Sequence, residues 1–187
     1  MAAAAAFDRC GYAAASIDQI AEEGGVTKGA LYFHFKSKAD LAIAVMHGQY
    51  ERWERARLAI EARRLPALIQ LDALVSESAK LLGNDPLVKA GMRLSQDINL
   101  LPPESVRPLE RLIAQVRPLI ERARTDGAIL PHTDSTAAAR ALVGGMLGVQ
   151  DVSERLRQHT DMGGHIEEWW SQFMRPALTG QWPGEPR

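Results

Sequence analysis

The chain is 187 residues long, enough to bury a sizeable core as one or two domains. Its 22 Lys and Arg balance 23 Asp and Glu to a net charge of −1, which excludes a generally basic coat and leaves any nucleic-acid contact to a local patch. A single cysteine, Cys10, rules out an intrachain disulfide, and no apolar run reaches the length of a membrane span, so a cytoplasmic protein with no membrane partner is expected.

Met1 to Arg9 reads as the end of a helix that passes Phe7 and stops at Gly11. The apolar Met1–Ala6 stretch lacks a basic leader and a cleavage pattern, so it is not expected to be a signal peptide. Ser16 followed by Gln19 has capping-box spacing and predicts a helix start, with Ile17 and Ile20 on the inner face. Gly24 and Gly25 end that helix, because glycine accepts a positive φ at little cost. Thr27 then caps a second short helix, Lys28 to Phe33. Two short helices joined by a Gly-containing turn form a helix-turn-helix, whose second member projects.

Thr27, Lys28 and Tyr32 offer two hydroxyls and a cation suited to phosphates and base edges. Gly29 and Ala30 allow close approach to a duplex, and Leu31 and Phe35 pin the helix to the core. His34, Lys36 and Lys38 follow, and Ser37 caps the next helix. Three lysines and no carboxylate lie between Thr27 and Lys38. The DNA-contacting set is therefore Ser16, Thr27, Lys28, Gly29, Ala30, Tyr32, His34, Lys36 and Lys38. An ordinary helical hairpin with a solvated basic edge is the alternative that spacing alone leaves open.

Leu41, Val45, Met46, Gln49 and Trp53 recur at helical spacing and predict a long connecting helix from Ser37 to about Arg64. Its five arginines (52, 55, 57, 63 and 64) read as a solvated face rather than a phosphate track. Helices follow from Pro66 to Gly83, with Leu68, Leu71, Leu74, Val75, Ser78, Leu81 and Leu82 on one side, and from Asn84-Asp85-Pro86 through Leu94. Gln96 to Pro103 reads as a loop. A helix from about Glu104 to Asp126 contains Pro118, which should kink or split it and hold a cavity open beside its neighbours. Leu109, Leu112, Ile113, Val116 and Ile120 would line or fill that cavity. The ligand-facing candidates are Leu74, Ser78, Leu82, Met92, Gln96, Leu112, Val116 and Gln150, with Asp97 and Gln115 as further polar groups.

Asp126-Gly127 closes that helix, and Pro131 to Asp134 is a turn ending in a cap. Two helices complete the chain, Ser135 to about Arg157 and Gly164 to about Leu178. Gly144, Gly145 and Gly148 allow close helix approach. Val143, Met146, Leu147, Ile166, Trp169, Trp170 and Phe173 carry more apolar surface than one neighbour needs, which predicts an interface. The class is all-α, divided as residues 1–48 (helix-turn-helix), 49–180 (ligand-binding and dimerisation) and a disordered tail, 181–187.

The wording of Ile17 to Leu41, with Gly11-Tyr12 ahead of it and Leu31-Tyr32-Phe33-His34-Phe35 then Lys38 at its end, resembles the DNA-binding domain of TetR-family transcriptional regulators. Val88 to Leu94, Asp126-Gly127 to Pro131 and Gly148-Val149-Gln150 are similar to the γ-butyrolactone receptor subgroup. The resemblance implies a homodimer, its last two helices forming a four-helix bundle, that binds double-stranded operator DNA and is released by a small-molecule effector. It implies no cofactor. Family members begin with a longer first helix and a basic arm, whereas this sequence starts inside that helix. Over residues 1–48 it has four Lys or Arg against five Asp or Glu, which predicts weak DNA affinity for this form. Butyrolactone-binding members carry a tryptophan in the helix that spans Glu104 to Asp126 here; this chain has none there, leaving an antibiotic-related metabolite as the other effector class. A constitutive DNA-binding protein without a ligand is the alternative.

Enzyme chemistry is not expected. His159 and His165 flank Asp161 but read as surface residues of a Gly-rich turn. There is no HExxH, CxxC, phosphate-cradling loop or nucleophile elbow, and so no catalytic or metal residue is assigned.

Overall fold

The computed structural model describes residues 1–96, 107–156 and 161–184, and every regular element among them is helical. In order these are α1 (Ala2–Ala14), α2 (Ile17–Glu23), α3 (Lys28–His34), α4 (Lys38–Glu61), α5 (Ala67–Asn84) and α6 (Pro86–Gln96). Then come α7 (Arg107–Thr125), α8 (Ser135–Arg155), α9 (Met162–Trp169), a π-helical turn (Trp170–Met174) and α10 (Arg175–Thr179). The chain divides into two units, Met1–Arg55 with Asn84–Pro108, and Ala56–Gly83 with Leu109–Arg187. The division expected at residue 48 thus falls later, within α4, and α6 groups with the N-terminal residues.

In the first unit, Ala3, Ala4, Phe7, Ile20, Leu41, Val45, Ala90 and Leu94 form one core, with Leu31 and Phe35 packed against it. Apolar side chains of α6 therefore complete the core of the helix-turn-helix, and Arg93 Nη1 donates to Asp8 O at 2.5 Å. Gly11 breaks α1 with φ 74°, a region that favours glycine. The Ser16 capping box does not form: the Ser16 side chain makes no cap bond, and Gln19 Nε2 donates instead to Glu23 Oε1 at 2.8 Å. Glu23 is also held by Arg9 at 2.6 Å, and the two bonds lower its pKa, Arg9 contributing most. The α2 terminus is a Schellman motif, with Val26 N–H donating to Ala21 O and Gly25 N–H to Glu22 O. Only Gly25 takes a positive φ (64°), since Gly24 remains right-handed at −83°.

In the second unit, Leu71, Val75, Ala79 and Leu82 of α5 are buried, as are Val116, Leu119 and Ile120 of α7 and Leu142, Val143 and Met146 of α8. Helix α7 is not split at Pro118 but runs unbroken through it. Asp134 caps α8, accepting from Thr136 N and Ala137 N at 2.8 and 3.1 Å. The last helical stretch starts earlier than Gly164, because Asp161 Oδ1 accepts from Gly164 N at 3.0 Å and so caps α9. Asp72 of α5 is the long-range polar tie: Trp170 Nε1 and Arg175 Nε donate to its Oδ1 at 2.9 and 2.8 Å. Of the five arginines between 52 and 64, Arg52 pairs with Asp85 and Arg57 with Glu61, while Arg55, Arg63 and Arg64 are exposed. The loop expected over Gln96–Pro103 lies largely outside the described residues, as do His159 and the last three residues of the tail.

Glu121 receives bonds from Arg124 and from Ser135 Oγ, and these push its pKa down to about 2, Arg124 contributing most. A pKa depressed in the folded state contributes stability that is complete above the usual carboxylate range and is lost as pH falls toward 2. Glu121→Gln should therefore flatten the acid limb of a melting-temperature profile between about pH 4.5 and pH 2. Superimposable wild-type and variant profiles would show that the carboxylate contributes nothing.

Candidate nucleic-acid interface and ligand domain

The second helix of the helix-turn-helix is built as its sequence predicts. Thr27 Oγ1 accepts from Ala30 N at 3.1 Å, fixing the first turn of α3 and leaving the hydroxyl proton for another acceptor. No residue of α3 is buried; Leu31 and Phe35 are half-buried and hold it to the core. Ser16, Thr27, Lys28, Gly29, Ala30, Tyr32, His34 and Lys36 are all exposed. A Cβ on Gly29 would meet only Thr27 Oγ1, at 3.9 Å, so the helix backbone there faces open space.

Two of the cations are already engaged. Lys28 Nζ pairs with Asp18 at 2.7 Å, and that carboxylate raises its pKa. Both partners are more than half exposed, so a phosphate can replace Asp18 at small cost. Lys38 differs from its expected role. It is half-buried, donates to Ala13 O and Ala15 O at 3.1 and 3.0 Å, and lies 4.7 Å from the Tyr12 ring centroid. Its ammonium satisfies one carbonyl at the end of α1 and one in the α1–α2 link, which makes it a brace of the head before it is a phosphate ligand.

Phe33, which sequence reasoning passed over, is 86% exposed and sets its ring edge-on to His34 at 5.3 Å. An aromatic left in solvent on an otherwise polar helix is the signal that identifies it. Together, Tyr32, Phe33 and His34 give α3 an aromatic end suited to sugar and thymine-methyl surfaces.

The ligand-facing candidates do not all come together. Leu82, Val116 and Gln150 are buried, Ser78 and Leu112 half-buried, and Met92 is buried in the other unit. The Gln96 side chain and Asp97 lie outside the described residues. Leu74 and Gln115 line a cavity of about 290 Å³ at the end of α4, edged by Ile60, Gln70, Pro118 and Arg122 among others. Val116 and Ile120 fill the core, so the α7 face on this cavity is Gln115, Pro118, Leu119 and Arg122 rather than the leucine-rich one expected. Gln49 was read as part of the apolar face of α4. It is 1% exposed, and neither its Nε2 nor its Oε1 has a partner among the described residues; the buried Trp53 Nε1, one turn on, has none either.

The residues expected at a dimer interface fall into two groups. Val143, Met146, Ile166 and Trp170 are buried within this chain, with Trp170 tied to Asp72, so they are core rather than interface. Leu147 and Trp169 are half-buried, and Phe173 is 61% exposed. Of the three glycines, only Gly145 serves close packing inside the chain, where a Cβ would overlap the Trp169 indole; Gly144 and Gly148 meet nothing. Gly144, Gly148 and Val152 of α8 and Leu156 just past its end, spaced four residues apart, form an exposed small and apolar stripe. His165 is half-buried, with its Nδ1 3.0 Å from Ser153 Oγ. Among the described residues no cluster could hold a metal ion and no helix is long and apolar enough to cross a membrane.

A helix-turn-helix head whose projecting helix is capped, exposed and free of carboxylates belongs to the class of DNA-binding regulators. Residues 1–45 match the model of bacterial regulatory proteins of the tetR family. The A-factor receptor protein of Streptomyces griseus is 32% identical over 173 residues, 92% of this chain but 60% of that protein's length. TylP, a TetR regulator from Streptomyces fradiae solved at full length, is 36% identical with a TM-score of 0.74, over 95% of this chain and 82% of that one. A structure described as the molecular basis for control of antibiotic production by bacterial hormones gives a TM-score of 0.84 at 34% identity, over 95% and 93% of the two chains. The chain belongs to the TetR family of transcriptional regulators.

Proposed function

We propose that this chain is a ligand-responsive transcriptional repressor that binds a pseudo-palindromic operator as a homodimer and is released by a small-molecule effector. The observation that carries the reading is α3 itself, with Thr27, Lys28, Tyr32, Phe33, His34 and Lys36 exposed on a helix pinned by Leu31 and Phe35. In a two-fold dimer such helices enter successive major grooves about 34–36 Å apart. The partner surface is the α8 stripe with Phe173: Val152, Leu156 and Phe173 are 54%, 61% and 61% exposed, while Gly144 and Gly148 have room for a facing helix. Val152→Glu combined with Phe173→Glu should shift the chain from dimer to monomer in sedimentation and weaken operator binding at least tenfold, since a monomer holds one half-site. A dimer that persists in that variant would place the interface elsewhere.

The effector is a γ-butyrolactone or an antibiotic-related metabolite, in keeping with the similarity to the A-factor receptor protein. Release follows if the effector binds better to the state whose heads are misspaced for DNA. Gln49 and Trp53 supply the buried polar atoms that a bound carbonyl or hydroxyl would satisfy. Gln49→Met removes two unsatisfied polar atoms at similar volume, and is expected to stabilise the free protein by about 1–2 kcal/mol while blunting effector release. The function is tested by fluorescence anisotropy on duplexes from the upstream region, in a salt series with and without an organic extract of a producing culture. Salt-sensitive binding reversed by extract supports the switch. Salt-sensitive binding that no extract reverses indicates a constitutive repressor, and the absence of any salt-sensitive binding removes the DNA-binding reading.

A further inference from the structure

The cavity at the end of α4 has a chemistry of its own. Its floor is apolar, from the buried Ile60 and Leu119 with the half-buried Leu74. Its charged rim is asymmetric. Arg57 is neutralised by Glu61 at 2.7 Å, whereas Arg122 pairs with no carboxylate among the described residues. Arg122 Nη2 donates instead to Oε1 of Gln70 at 3.3 Å. Gln70 is 4% exposed, and its Nε2 donates to Leu65 O at 2.6 Å, so this amide is locked with its oxygen toward the guanidinium. Across α7, five arginines including Arg122 stand against two glutamates, so the helix as a whole carries a net positive charge. A guanidinium oriented by a buried amide beside an apolar floor is arranged for a planar anion with a hydrocarbon tail.

We propose that this cavity is a binding site for a small amphipathic monocarboxylate, the carboxylate paired with Arg122 and the tail laid over Ile60, Leu74 and Leu119. The volume of about 290 Å³ is at the small end of ligand pockets and suits a short-chain acid. Glu61 opposes the anion, so the site selects a single negative charge placed at the Arg122 end. The site lies wholly within the second unit and does not depend on the DNA-binding reading.

The test uses the full chain and three probes: octanoate, 1-octanol and acetate. Isothermal titration should detect octanoate and find 1-octanol and acetate at least about tenfold weaker, since one lacks the charge and the other the tail. Arg122→Gln should weaken octanoate by about tenfold or more, and Glu61→Gln should strengthen it. Octanol binding as tightly as octanoate, acetate doing the same, or an unchanged Arg122→Gln titration would each overturn the proposal. Anisotropy on an operator duplex in the same samples reports DNA binding separately, so a failed octanoate titration leaves the repressor reading standing, and a failed duplex leaves this site standing.

Discussion

Gly145→Val is expected to lower unfolding stability by about 3 kcal/mol, read from urea denaturation at one fixed protein concentration. The reason is local and steric. Gly145 of α8 faces the indole of Trp169, and a Cβ built there would come within 2.5 Å of Cε2 and 2.8 Å of Cη2. The obstacle is a rigid bicyclic ring, so the strain cannot be relieved by a small rotation at the end of a flexible chain. Trp169→Ala alone should also destabilise, by loss of packing. In the double variant the valine enters the vacated space, so the combined loss should fall short of the sum by at least about 1 kcal/mol. Strict additivity would mean that the two residues do not press on one another.

The second large effect separates two roles for lysine at the DNA-binding head. Lys36 is exposed, whereas Lys38 is half-buried with its ammonium on Ala13 O and Ala15 O. Lys36→Ala should weaken operator binding uniformly across sequences and reduce the slope of log affinity against log salt by about one per subunit. Lys38→Met should leave that slope nearly unchanged while lowering stability by about 1–2 kcal/mol, because two carbonyls lose a charged donor. Its operator affinity falls through a loosened α1–α2 connection rather than through a lost counterion. If Lys38→Met changes the slope as much as Lys36→Ala does, Lys38 exchanges its carbonyls for phosphate on binding, and the brace is a feature of the free protein alone.

These cases also show what was legible in the sequence. The Thr27 and Asp134 caps and the Gly25 turn involve groups within a few residues of one another, so spacing alone carries the argument. The Ser16–Gln19 pairing is equally local and does not form; the Gln19 amide instead donates to Glu23, one turn further on. What lay beyond reach were bonds closed by the fold. Trp170 meets Asp72 across 98 residues, and nothing in the Trp169-Trp170 dipeptide says which indole turns inward. In α8, Val143 and Met146 go to the chain's own core while Gly144 and Gly148 are left outside, a division that spacing alone does not specify. Gln49 was hidden by the same logic: a polar residue in phase with Val45 and Trp53 looks tolerated, and only burial without partners marks it as unusual.

The π-helical turn at Trp170–Met174 sets the phase of everything after it. A π turn accommodates one residue more than an α turn, and each residue advances a helix by about 100°. That extra step lets Trp170 and Arg175 converge on one carboxylate while Phe173, between them, looks away. It also brings Leu178 round so that its carbonyl accepts from Leu130 N at 2.8 Å. The terminal segment therefore behaves like a key cut to one length. Losing a single residue from the turn would return the backbone to ordinary helix and swing Pro176 and Leu178 out of their sockets, with no change in the chemistry of any side chain. Gain or loss of one residue here would act on the whole end of the molecule, where a substitution acts on one contact.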